Sequence, residues 1–221
     1  MKAMILAAGY GKRLLPLTEN LPKPLIKIGG KAVIVRLIEQ LAKQGFNELV
    51  INISYLGEQI RAELQDGSQY HVSIRYSVEP KPLETGGGIF NALPLLGDQP
   101  FIVVNSDIIT DYPFANLRRP LKSLAQLILV DRRLDNPSNK QGDFALENQL
   151  VLITGDHYYT YSGIASFHPD FFKGCRAENF KLAPLLLKYI EQKKVYGELY
   201  QGLWEDIGNI QRLQKIQQEM T

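Results

Sequence analysis

Apolar and polar positions along the 221-residue chain switch repeatedly between a strand period and a helix period. KAMILAA (2–8) is a short apolar run ending in small residues, the pattern of a buried parallel strand that hands the chain to a loop. AVIVRLIEQLAKQG (32–45) spaces its apolar residues helically and stops at Gly45, and the β-branched run ELVINIS (48–54) follows, so this part reads strand, loop, helix, strand. EQIRAELQDG (58–67) predicts a second helix, VSIRYSV (72–78) a strand, GGGIFNALPLL (86–96) a glycine-started helix, and PFIVVNSD (100–107) a strand with a polar end. Beyond Pro120, SLAQLILVD (123–131), DFAL (143–146), QLVLIT (149–154) and YSGIASF (161–167) read as strands, some joined by hairpin-like turns. KLAPLLLKYIEQKK (181–194) and NIQRLQKIQQEM (209–220) read as helices.

Such alternation favours an α/β fold: a three-layer, Rossmann-like, mainly parallel sheet covered on both faces, with ligands gathering at the carboxyl ends of its strands. The loops after Ala8 and after Val104 leave from such ends. The length, with no internal repeat and no flexible linker, predicts a single domain over 1–221.

Composition narrows the chemistry. Hydrophobic residues at 45% and charged ones at 22% belong to a soluble globular chain, and a net charge of +2 creates no large single-sign field. Nucleic acid and membrane are therefore not expected partners, and any anion must be bound locally. The one cysteine, Cys175, excludes an internal disulfide and a thiolate metal cluster, which fits a reducing compartment. The N-terminal apolar run, about six residues, is too short for a signal peptide or a membrane span, so the expected location is the cytoplasm.

The most informative stretch is MILAAGYGKRLLPLTENLPKPL (4–25). Backbone N–H groups of a glycine loop converge on phosphate oxygens because no Cβ blocks the approach, and neighbouring cations add charge; Gly9, Gly11, Lys12 and Arg13 supply both. It is neither a P-loop, whose glycines stand further apart, nor a dinucleotide fingerprint, whose third glycine is missing. Pro22 and Pro24 hold the backbone around Lys23 extended.

The full string Leu-Ala-Ala-Gly-x-Gly-x-Arg-Leu-x-Pro-Leu-Thr, followed by Pro-Lys-Pro-Leu, resembles the signature of the sugar-1-phosphate nucleotidylyltransferase family. The resemblance implies the nucleotidyltransferase fold. About 1–110 would form its nucleotide-binding part, and about 111–221 a sugar-binding part with a small β extension. It implies a loop from Ala8 and Gly9 through Gly11 and Lys12 around a nucleoside triphosphate, with Arg13 at the phosphates and Lys23 at the reacting phosphoryl groups. LETGGGI (83–89) resembles the family's second glycine element, which implies Thr85 and Gly86 at the nucleobase and Glu79 as a further base partner.

Magnesium takes oxygen ligands and is commonly held by one or two carboxylates plus substrate phosphates. Asp107 in VVNSD and Asp206 in WEDIG match the family's two metal-binding positions, so the resemblance implies Mg²⁺ between them. Ser106 departs from the glycine that many members carry; were positive φ required there, serine would add strain.

GDF (142–144), YSGI (161–164), NFKLAPLL (179–186) and ETGGGI together resemble a short branch of the family that joins UTP to N-acetylmuramate 1-phosphate in cell-wall sugar recycling. That branch implies Asn105, Asp143 and Gly163 at the sugar and Lys181 facing its lactyl carboxylate. A nucleoside triphosphate and a sugar phosphate bring about six negative charges together, and each like-charge contact at ~4 Å costs roughly 4 kcal/mol at an effective dielectric of about 20. Cations are the main requirement and no protein nucleophile is needed; Cys175, His71, His157 and His168 sit in no nucleophile motif. Other pairs, such as mannose 1-phosphate with GTP, glucose 1-phosphate or choline phosphate, stay open, as does a non-catalytic nucleotide-sugar sensor.

Overall fold

The protein is described here by a computed structural model covering residues 1–131 and 142–219. In chain order its strands are β1 (Ala3–Leu6), β2 (Lys27–Ile28), β3 (Lys31–Ala32), β4 (Glu48–Ile53), β5 (Ser73–Val78), β6 (Phe101–Asn105), β7 (Ile108–Thr110), β8 (Ala125–Val130), β9 (Phe144–Glu147), β10 (Leu150–Leu152), β11 (Tyr158–Phe167), β12 (Val195–Tyr200) and β13 (Trp204–Asp206). The α-helices are α1 (Val33–Lys43), α2 (Gly57–Leu64), α3 (Glu84–Leu96), α4 (Leu182–Glu191) and α5 (Ile210–Glu219). Met220, the last residue of the final predicted helix, lies outside the described residues.

Nine strands form one sheet in the order β5-β4-β1-β6-β11-β8-β12-β10-β9. The expectation of a mainly parallel sheet holds for β5, β4, β1 and β6, which all run in parallel, and again for β8 with β12. The remaining pairings are antiparallel, so the sheet is mixed. The physical reason is the connections: helices lead from β1 to β6 and permit parallel return, whereas β9 to β10 is a tight hairpin and dictates the opposite sense. The first half of β11 also pairs with β9, through Tyr158 with Ala145 and Tyr159 with Phe144, closing a ring of pairings through β8, β12, β10 and β9. Sequence patterning missed β12, whose run VYGELY mixes polar residues and follows directly on a lysine pair.

The core has two sides because successive residues of the central strands point to opposite faces. Ile5, Ile51 and Val104 pack with Ile34, Leu37, Ile38 and Leu41 of α1 and Ile60 and Leu64 of α2. Met4, Val50 and Val103 pack with Ile89, Ala92 and Leu96 of α3 and Leu182, Leu186 and Ile190 of α4. A third, smaller cluster sets up the site. Leu14, from the turn after the first glycine loop, packs with Ile207, Leu213 and Ile216 of the C-terminal segment and with Ile26, Ile28 and Val33. Burying a Leu or Ile side chain is worth about 1.5–3 kcal/mol, so this contact fastens the glycine loop to the far end of the chain.

Candidate active site

One cavity of about 410 Å³ opens at the carboxyl ends of β1, β4, β5 and β6. Ala8, Gly9, Gly11, Lys12, Arg13 and Lys23 line it from the first loop, Glu79, Glu84 and Thr85 from the second, and Asn105, Ser106 and Asp107 from the end of β6. Its volume is that of a small-molecule site.

Gly11 has φ +65°, and a Cβ there would stand 2.9 Å from Thr18 Cγ2, so only glycine suits the turn. The buried Thr18 hydroxyl donates to Gly11 O at 2.9 Å and holds the loop shut from behind. Gly9 is different: a Cβ would meet nothing within 4 Å, leaving open space on the cavity side. Lys12 lies over the Tyr10 ring, 5.4 Å from its centroid, and Tyr10 packs on Tyr55.

The second loop is tied to the first through buried polar groups. Asn52, at the end of β4, accepts from Ala7 N at 2.8 Å and donates to Glu79 Oε1 at 2.7 Å. Glu79 Oε2 accepts from Leu83 N at 2.8 Å, just ahead of α3. Burial pushes the Glu79 carboxyl above the ordinary range, opposed by the hydrogen bonds from Asn52 and Leu83. Its two oxygens are thus engaged by chain donors, although the side chain still borders the cavity. α3 begins at Glu84, two residues earlier than the sequence pattern predicted. Its three glycines each answer a neighbour. A Cβ on Gly86 would overlap the Phe180 ring, one on Gly87 the Glu178 carbonyl, and one on Gly88 would lie 2.7 Å from Glu79 Oε1. Gly86 is buried under Phe180, while Thr85 beside it lines the cavity.

Asp107 follows β6, and Lys23 Nζ forms an ion pair with its Oδ2, the two side chains 14% and 20% exposed. Ser106 has no positive φ, so the serine is not strained; it is buried and donates from N to Leu6 O at 3.2 Å. Asp206 reaches the same region through a two-stranded ribbon in which β13 pairs with β7, Asp206 opposite Ile108, and Ile207 N donates to Asp107 O at 2.9 Å. Arg212 of α5 donates to both Asp206 oxygens at 2.6 Å, and Gly208 N donates to Oδ1 at 2.7 Å. The backbones of the two aspartates are therefore adjacent. Asp107 and Gly208 border the cavity, and Asp206 is not among its lining residues. Among the described residues no group of three or more His, Cys, Asp or Glu forms a metal cluster. The available set is two carboxylates from neighbouring strands, each matched by a cation, and such a hard-oxygen pair fits an ion that completes its shell with water and phosphate.

The residues assigned to the sugar are more scattered. Gly163 (φ +79°) lies in a bulge of β11, where a Cβ would stand 2.5 Å from Asn105 Nδ2; the glycine seats the Asn105 side chain against the cavity. Asp143 is exposed and accepts from Tyr161 N at 2.8 Å. Lys181, at the start of α4, lines a separate cavity of about 470 Å³ together with Arg176 and Lys188. Asn52 and Arg212 were not singled out from sequence, and Thr18 and Phe180 stood only as members of longer motifs with no role of their own. Asn52 had a signal, a polar residue inside the apolar run ELVINIS; Thr18 and Arg212 bond residues seven and six positions away, and Phe180 acquires its meaning through Gly86, distant in the chain. Cys175 borders the second cavity, and burial raises its thiol pKa, which disfavours the reactive thiolate. No helix among the described residues is long and apolar enough to cross a membrane.

Comparison with known proteins agrees with this geometry. Residues 2–142 match the Nucleotidyl transferase family. An N-acetylmuramate alpha-1-phosphate uridylyltransferase of Neisseria meningitidis serogroup B is 44% identical, with 98% of this chain and 97% of that one covered. A mannose-1-phosphate guanyltransferase of Aspergillus fumigatus is 42% identical over 142 residues, 62% of this chain and 39% of that one. In fold, a proposed glucose-1-phosphate thymidylyltransferase of Bacillus anthracis solved with sucrose superposes with a TM-score of 0.87 at 20% identity, covering 100% and 95% of the two chains. HddC of Yersinia pseudotuberculosis, complexed with GMP-PN, gives 0.80 at 22%, covering 100% and 99%. A glycine-loop cavity with a lysine, an aspartate pair and this breadth of similarity lead to one conclusion: the chain is an enzyme of the nucleotidyl transferase family, among the sugar-1-phosphate nucleotidylyltransferases.

Proposed function

We propose that the protein joins UTP and N-acetylmuramate 1-phosphate to give UDP-N-acetylmuramate and pyrophosphate. The observation that carries this reading is the near-full-length similarity to a uridylyltransferase of that sugar, on a chain in which a single cavity gathers the glycine loop, Lys23, Asn105 and Asp107. The matched guanyltransferases are longer proteins, of which this chain covers 39% in one case and 61% in another, and this gives the rival pair less support. Residues up to about 110 serve the nucleotide, and the later strands, with their small β extension, serve the sugar.

In this reading the backbone of Ala8 to Gly11 and the side chains of Lys12 and Arg13 hold the phosphates, while Thr85 and the first turn of α3 meet the base. Asn105, seated by Gly163, and Asp143 meet the sugar. Lys181 is left out of this set, because it lines the other cavity. A phosphate oxygen of the sugar attacks the α-phosphorus of UTP in line, a new P–O bond forms, and the bond to the leaving pyrophosphate breaks. Lys23 stabilises the charge that develops there, and the loops hold both anions in alignment against their repulsion. Members of this family generally use a divalent metal. Asp107 and Asp206 would hold Mg²⁺, which supplies Lewis-acid stabilisation of phosphate charge when bound.

The deciding experiment is pyrophosphate release across four nucleoside triphosphates and several sugar 1-phosphates. Release that is greatest with UTP and N-acetylmuramate 1-phosphate is expected; a preference for another pair overturns the substrate assignment, and nucleotide binding without any release makes the chain a sensor.

A further inference from the structure

We infer that Asn52 is a positioning residue that fixes the distance between the two loops of the nucleotide cavity. The inference rests on the reading above, in which the first loop takes the phosphates and the start of α3 takes the base. Asn52 stands at the carboxyl end of β4, beside Leu6 of β1 on one side and Ser77 of β5 on the other, midway between the strands that launch the two loops.

Its amide makes one link to each. Oδ1 accepts from Ala7 N at 2.8 Å, two residues before Gly9, and Nδ2 donates to Glu79 Oε1 at 2.7 Å, whose second oxygen takes Leu83 N at 2.8 Å. Asn52 and Glu79 are only 4% and 2% exposed. Bulk water therefore does not compete for these bonds, and their directionality sets a distance that apolar packing leaves loose. α3 presses on the relay from its own side: a Cβ on Gly88 would stand 2.9 Å from Asn52 Nδ2. Both side chains also form part of the cavity wall.

A residue that sets spacing is recognised by what it does to linked ligands. A ligand that spans both loops gains from their fixed separation, whereas its two halves, bound singly, do not. Asn52→Asp is close in shape and keeps the acceptor for Ala7 N, but presents an oxygen to Glu79 and cuts the second link. Dissociation constants are measured for UTP, uridine and tripolyphosphate in the wild-type chain and the variant. The expected result is UTP weakened about tenfold or more, with uridine and tripolyphosphate each within about twofold. Unchanged UTP affinity overturns the inference, and so does a fragment that weakens as much as UTP, since Asn52 would then act on one subsite only. If Asn52→Asp does not fold, Glu79→Gln is read by the same criteria, because its amide can serve only one of the two donors. Running all four triphosphates with their nucleosides separates the two claims. A wild-type preference for another base overturns the substrate reading, and the relay is read on that nucleotide; a wild type that binds none overturns both.

Discussion

Lys23 and Asp107, 84 positions apart in the chain, form a mostly buried ion pair in the wall of the cavity of about 410 Å³. Removing one partner leaves the other charge without its counter-ion in a partly desolvated place, and costs far more than an exposed pair would. Lys23→Ala is therefore expected to lower kcat/KM by about 10²-fold or more. Asp107→Asn and Asp206→Asn should each abolish divalent-metal-dependent pyrophosphate release with the fold retained by circular dichroism. Full activity in either Asn variant removes the metal assignment, and an unchanged kcat/KM reduces Lys23 to part of a turn.

Gly163→Ala tests how Asn105 is seated. The new Cβ falls 2.5 Å from Asn105 Nδ2 on a backbone at φ +79°, so strain and displacement add. A stability loss of about 1–3 kcal/mol is expected from thermal unfolding, with KM for the sugar phosphate rising more than KM for UTP. Equal changes in both KM values would separate Asn105 from the acceptor.

Glu79 gives a pH signature. Its carboxyl is raised above the ordinary value of 4.5 in the folded protein, so the folded state holds the proton more tightly than the unfolded chain. Stability from this group is greatest below 4.5 and declines as pH rises through the folded value, where the buried carboxyl must ionise. Glu79→Gln has no such proton. The stability of the variant relative to wild type should therefore climb with pH across that window in denaturant titrations, and a flat difference would refute the shift.

Cys175 should be a slow thiol. Burial raises its pKa, so modification by a disulfide reagent is expected to run below the rate of an unhindered model thiol at the same pH. Cys175→Ser should keep full activity, and a marked loss would bring the second cavity into the reaction.

Local order in the sequence was enough for most elements and for the binding loops, because these depend on neighbours. Apolar runs at two periods mark β1, α1, β4, β5, α3, β6, β8 and α4, and the glycines with Lys12, Arg13 and Lys23 lie within about twenty residues of one another, as a single loop must. Asp107 and Asp206 were legible only through a family pattern; nothing local says that strands nearly a hundred residues apart will meet. Tertiary structure decided the rest: the mixed sheet, the β7–β13 ribbon that brings the aspartates side by side, the Arg212 clamp, the Asn52–Glu79 relay and the Phe180 ring that makes Gly86 obligatory. Most of these join residues far apart in the chain, and the Arg212 contact with Asp206, six positions away, is set by the turn between β13 and α5; register and the need to satisfy buried polar groups choose them, and a one-dimensional pattern carries neither.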